Sequence, residues 1–177
     1  MKKFKLTKNS KDVYGITLYQ IQALKDFSNV KKGDLGGWIE KEENLSQEDS
    51  AWVYGDAWVY GDAWVYEDAQ VYGDARVSDN AQVYGDARVY GDARVSDNAQ
   101  VDGDARVYES AWVSGNARVS GNARVYGDAE VYGDAWVYGD AEVSDTLVYG
   151  DERMGSIKRT DEREYREYLK LKDKFEK

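Results

Sequence analysis

The sequence predicts an all-β chain of very short strands wound into a coil that stacks on itself. Three observations carry this. Alanine stands at every sixth position from Ala51 to Ala141, valine at every sixth from Val53 to Val143, and a Gly-Asp or related polar pair follows each Val-Tyr or Val-Ser. A period of six would scatter the valines around an α-helix of 3.6 residues per turn. In extended chain, Ala and Val two apart share one side of the backbone, and the Gly-Asp pair then turns it. A strand and a corner repeated at fixed spacing make a stack of coils.

The phrase Ala-x-Val-Tyr/Ser-Gly-Asp/Asn resembles the hexapeptide repeat of left-handed parallel β-helix proteins. Val53 with Ala57 and Val59 with Ala63 begin its pairing of an aliphatic residue with a small one four positions on. The resemblance implies three flat faces, 18 residues per coil, the left-handed sense and a tendency to trimers. It also brings the expectation of an acyltransferase, to be tested on the residues. The recurrence of Val-Ser-Asp-Asn at Val77–Asn80 and Val95–Asn98 agrees with a period of 18.

Taken in order, the segment 1–36 reads as an N-terminal cap. Phe4 and Leu6, then Ile16 and Leu18, alternate around a polar stretch at Asn9–Asp12, which predicts a hairpin. Such a hairpin is needed because the first coil of a stack otherwise exposes Val and Ala at its open end. The coil itself occupies 37–151. Gly37-Trp38-Ile39 and Asn44-Leu45 read as two degenerate phrases, and the eight residues from Leu45 to Val53 leave two to bulge out. Residues 25–60, with Lys25–Lys31, Gly36–Ile39 and Asn44–Gln47, also resemble the start of an enterobacterial β-helix family labelled acetyltransferase, which has prophage-encoded relatives. After Val143 the phrase resumes one position early at Thr146–Asp151, and Met154-Gly155-Ser156 is expected to break it. The segment 152–177 is read as a linker and an α-helix from Asp161 to about Glu176, capped by Thr160, with acidic residues at its start and lysines near its end.

Five corners replace glycine with an acidic residue, at Glu67, Asp79, Asp97, Glu109 and Asp145. The backbone there is expected to be left-handed, which Asp tolerates better than most residues. The next column, starting at Asp56, Asp62 and Asp68, is expected to bond neighbouring backbone. These carboxylates form a line rather than a cage, so no metal site is assigned.

Composition removes several function classes. The chain has 42% hydrophobic and 33% charged residues with a net charge of −10, which disfavours general binding to a phosphate backbone. No run reaches transmembrane length. No apolar stretch follows the basic start, so no signal peptide is expected. The absence of cysteine fits a reducing compartment, and the cytoplasm is the expected location. Histidine is also absent. Acyltransferases of the hexapeptide family use it as a general base, and carbonic anhydrases of this fold hold zinc with it, so neither activity as known fits this chain. No catalytic residue and no cofactor are assigned, although an acyltransferase-like enzyme lacking the usual histidine stays open as an alternative. The serines Ser78, Ser96 and Ser114 lack an activating partner and read as solvated.

What remains is the outward surface. Written at a spacing of 18, the first face carries three Arg-Tyr pairs, Arg88/Tyr90, Arg106/Tyr108 and Arg124/Tyr126, which are the candidate ligand-binding residues. Guanidinium forks suit an anion, and a tyrosine ring could stack on a planar one. Asp92 and Asp128 could neutralise the arginines instead. Trp52, Trp58 and Trp64 gather at one end of the three faces and are the candidate oligomer interface, since this much aromatic surface is unusual on a monomer. The expected function is a non-catalytic binding or scaffold protein that forms a homo-oligomer, a trimer by family resemblance. The prophage-type resemblance adds the alternative that it sequesters a nucleotide signal. Tyrosine and tryptophan also favour strands and stack along them, so the columns could serve the fold alone.

Overall fold

The computed structural model describes residues 2–155 and the backbone of one further strand at 158–159. Strands β1 (Phe4–Val13) and β2 (Ile16–Ala23) form the expected antiparallel hairpin. It turns at Tyr14 and Gly15, both with positive φ, as a tight turn between right-twisting strands requires. β2 pairs antiparallel with β3 (Leu35–Ile39), and β3 then pairs in parallel with Trp58–Val59. The cap therefore both extends one face of the coil as a sheet and covers the first coil.

From Trp52 onward each phrase contributes a strand of two or three residues, and the strands assemble into three parallel sheets. They contain seven, nine and six strands, the nine including the cap, so the coil runs for about six turns. The register confirms a period of 18 through the array, with Arg88 paired to Gln70 below and Arg106 above. Backbone bonds between strands run from one coil to the next: the Arg88 N–H donates to the Ala105 carbonyl and the Tyr90 N–H to the Val107 carbonyl, each at 2.9 Å, while corners close within a coil, as where the Ala81 N–H donates to the Ser78 carbonyl at 3.1 Å. Every valine from Val53 to Val143 is fully buried, and the alanines are buried beside them. Each buried valine stabilises by about 1.5–3 kcal/mol relative to exposure. Ile39 lies beneath Val59 and Leu45 beneath Val65, which places both degenerate phrases in the coil.

The corners explain the conserved rhythm of the phrase within this chain. Gly85 has φ +70°, and a Cβ there would come within 2.8 Å of the Gly103 backbone nitrogen. The acidic corner residues adopt the same left-handed backbone, with φ of 57° at Glu67 and 58° at Asp97. Their carboxylates have a definite use: Glu67, Asp97 and Glu109 accept from the corner amides of Gly85, Gly115 and Gly127, one coil on, at 2.8–3.0 Å. The following column departs from expectation. At Asp68, Asp74, Asn80 and others the backbone amide bonds the corner carbonyl of the next coil, and the asparagine side chains bond other members of the column. Asn80, Asn98 and Asn116 pass Nδ2–H to Oδ1 bonds up one corner and end on Asp134, at 2.9–3.1 Å.

At the far end, Val148 lies over Val131, one residue short of the period, as the early phrase requires. The break expected at Met154 does not occur there. Met154 turns inward over Val137 and is buried, so the coil extends past 151, and Lys158–Arg159 adds a strand beside Glu142–Val143. The expected α-helix at 161–176 lies outside the described residues. Among the described residues no helix is long and apolar enough to cross a membrane.

Lys3 ties the cap to the first coil. It is fully buried, its Nζ donates to the carbonyls of Glu48 and Ala51 at 2.9 and 2.8 Å, and it lies 5.2 Å from the centre of the Phe27 ring. Burial lowers its pKa to about 8 from the ordinary 10.5, against the opposing pull of Asp49. A lowered folded pKa means that the folded state holds fewer protons, so this group makes stability rise between pH 8 and 10.5. The Tyr84 phenol, raised to about 12 by burial and by Asp102, acts in the opposite sense above pH 10. Comparing denaturation midpoints of the wild type and Lys3→Met across this range isolates Lys3, because Tyr84 is common to both. The wild type is expected to gain relative to the variant as pH rises; a constant difference would refute the assignment.

Candidate functional site

Residues two apart in a strand share a side, so Arg88 and Tyr90 both point outward across buried Val89. Stacking then converts the repeat into two adjacent rows. Arg88, Arg106 and Arg124 are in register, and the rings of Tyr72, Tyr90, Tyr108 and Tyr126 stack nearly parallel, with centres 4.8–5.1 Å apart. The spacing is that of neighbouring strands in a sheet. Tyr54 closes one end edge-on, 6.5 Å from Tyr72. The structure thus brings all six candidate residues together and adds Tyr54 and Tyr72. Both shared the 18-residue spacing, but Trp52 and Gln70 stand beside them instead of arginine.

Two features define what this face can do. The broad surfaces of the tyrosine rings are already pressed against one another, and the gap is too small to admit another ring. The row offers edges and phenol oxygens rather than stacking planes, which corrects the expectation for a planar ligand. Burial, followed by neighbouring Tyr90, raises the pKa of Tyr72 and Tyr108, so the phenols stay neutral donors. The second feature is the arginine row. Arg124 meets Glu142, one coil on, at 3.5 Å. Among the described residues neither Arg88 nor Arg106 has a carboxylate within ion-pairing distance, and neither Asp92 nor Asp128 supplies the neutralisation considered from the sequence.

The three tryptophans of the candidate interface fall into different settings. Trp52 is 1% exposed, wedged between the ring edges of Phe4 and Phe27 at 6.2 and 5.3 Å. It faces the chain's own cap and offers nothing to a second subunit, which corrects its assignment. Trp58 is half-buried between Lys11 and Arg76, both 4.6 Å from its ring centre. Trp64 is 44% exposed and stacks on Tyr66 at 4.0 Å.

The other faces carry different chemistry. On the third, Tyr66 stacks on Tyr84, whose hydroxyl donates to Asp102 at 3.1 Å. On the second, the serine column is not simply solvated: Ser78 is buried, and Ser96 accepts a bond from the Trp112 indole. Among the described residues no group of three or more side chains of metal-binding type converges on one point.

The repeats between residues 69 and 139 match the model of the YdcK β-solenoid repeat, at 69–85, 81–97, 87–103, 99–115, 111–127, 117–133 and 123–139. The chain is a β-solenoid repeat protein. The match falls on the coils that carry the Arg-Tyr rows. A second comparison finds similarity to a protein named "Uncharacterized acetyltransferase YdcK" from Escherichia coli (strain K12), 46% identical over 39 residues. That stretch is 22% of the solenoid chain and 12% of the relative, so the chain matches only a small part of the relative's length.

Proposed function

We propose that this β-solenoid is a non-catalytic binding or scaffold protein whose first face holds an anionic partner along the row Arg88, Arg106 and Arg124. One observation carries the reading: these arginines stand in register on successive coils, and among the described residues only Arg124 has an acidic partner. Like charges at strand spacing repel, and a bound anion relieves that repulsion while accepting their hydrogen bonds. A nucleotide signal, the narrower form of this reading, is held through its phosphates, because the tyrosine ring faces are occupied. In the same reading the solenoid has the left-handed sense of hexapeptide proteins and works in the cytoplasm, in keeping with the absence of cysteine. Exposed Trp64 and Tyr138 support assembly into a trimer.

Acetyl transfer, which the relative's name suggests, is not part of this proposal. The chain has no histidine to act as general base.

Calorimetry against mono-, di- and cyclic nucleotides, pyrophosphate and acetyl-CoA tests the reading. At least one phosphate-bearing ligand should bind, with affinity that falls as salt rises. Arg106→Ala should weaken it about tenfold or more, the cost of a charged hydrogen bond. Tyr108→Ala should have a smaller effect, since its ring does not stack on the ligand. An absence of binding, or binding indifferent to Arg106→Ala, removes the site. Turnover of acetyl-CoA with an ordinary amine acceptor would overturn the non-catalytic reading.

A further inference from the structure

Five of the six tryptophans have their ring faces or edges engaged by the chain itself. Trp52 lies among Phe4 and Phe27, Trp64 on Tyr66, and Trp38 under Lys11 at 4.2 Å. The remaining two show a rule. Arg76, in register with Trp58 on the next coil, lies over its ring at 4.6 Å. Arg153, in register with Trp136 on the next coil, lies over that ring at 5.7 Å.

Trp112 makes the same indole bond as Trp136 and lacks the cation. Its Nε1–H donates to Ser96 on the preceding coil at 3.2 Å, as that of Trp136 donates to Ser120 at 2.9 Å. Yet Trp112 is 43% exposed, and no ring or cation of the described residues lies over it. The in-register residue on its next coil is Glu130. Trp112 and Glu130 line an open cleft of about 460 Å³ with Ser114, Tyr132 and Asp97. The Asp97 carboxylate accepts from the Gly115 amide, whereas Glu130 has no ion-pair partner among the described residues. An electron-rich ring face beside a carboxylate is an unfavourable pair until a cation lies between them, where both attract it.

We propose that this cleft binds an organic cation, an alkylammonium or guanidinium group supplied from outside the chain, between the Trp112 ring and the Glu130 carboxylate. The cation takes the place that Arg76 and Arg153 fill on the other two tryptophans. Tyr132 and Ser114 bound the cleft, and the net charge of −10 favours a cationic visitor over a neutral one. The site stands on a different face from the arginine row and does not depend on it.

The test is calorimetric titration of the whole chain with tetramethylammonium chloride and with N-acetyl-argininamide, using sodium chloride at equal ionic strength as the control. Both probes should bind saturably in the millimolar range and sodium should not. Trp112→Leu should weaken both by about tenfold. Glu130→Gln, nearly isosteric and safe for the fold, should weaken both as well; if Trp112→Leu does not fold, it carries the test alone. Failure of both probes to bind, equal binding of sodium, or binding unaffected by Glu130→Gln overturns the proposal. Tighter binding of the guanidinium probe points to an arginine side chain of a polypeptide as the source, and tighter binding of tetramethylammonium to a free quaternary amine.

Discussion

Replacing Val107 by aspartate is expected to cost more than about 4 kcal/mol and to abolish cooperative folding of the stack. Val107 sits in the middle of the first sheet, fully buried, with Val89 below and Val125 above. A carboxylate there has no partner and no route to water. Because each coil touches mainly its neighbours, the defect also separates the capped coils from the rest, so that no intact stack remains on either side. Thermal unfolding followed by circular dichroism, with Val107→Ile as a control, measures this. A folded Val107→Asp protein with a melting point near that of the wild type would mean the side chain does not face a packed interior.

The second large effect is expected from Trp52→Ala, at about 3–5 kcal/mol of stability with no change in subunit number. The indole fills the junction between cap and coil, and its removal leaves a void bordered by Phe4 and Phe27. Denaturant titration gives the stability and light scattering the assembly state. Trp64→Ala provides the contrast, since that ring is exposed and its loss costs only the contact with Tyr66, about 0.5–1.5 kcal/mol. If the protein is a trimer through its aromatic surface, the state of assembly should respond to Trp64→Ala and not to Trp52→Ala. A change of subunit number in Trp52→Ala alone would overturn this division.

These two residues also mark what could be read from the chain. Val107 was legible because its environment is local and repeated: the same phrase surrounds it on both sides, so spacing alone determines its direction, its register and its burial. The arginine and tyrosine rows followed from that register. Trp52 belongs to an equally regular phrase, yet its neighbours are Phe4 and Phe27, brought there by a hairpin that obeys no period. Met154 was lost for a related reason. Once the count slips near the end of the array, a residue of unfamiliar type still takes the inward position if the sheet below presents an unpaired edge. The cleft at Trp112 required a comparison that spacing permits but composition hides, namely which residue stands on the next coil above each tryptophan. The occupied ring faces of the tyrosine row lay further off still, because they depend on the orientation of the rings and not on their positions.

The near-identity of the corners has a consequence for how such a rod can change its length. Each coil meets the next through the same alanines, valines and corner amides, so the junction between any two coils is close to interchangeable with any other. Duplicating 18 residues adds a rung to every column and leaves the lateral neighbours on each face unchanged. Duplicating six preserves every inward contact equally well, but turns all later residues onto the next face, parting Arg106 from Arg88. The interior is therefore indifferent to a change that erases the pattern outside. In this architecture, selection on the hydrophobic core alone would let the faces drift out of alignment, and rows kept in step over successive coils record a demand made at the surface.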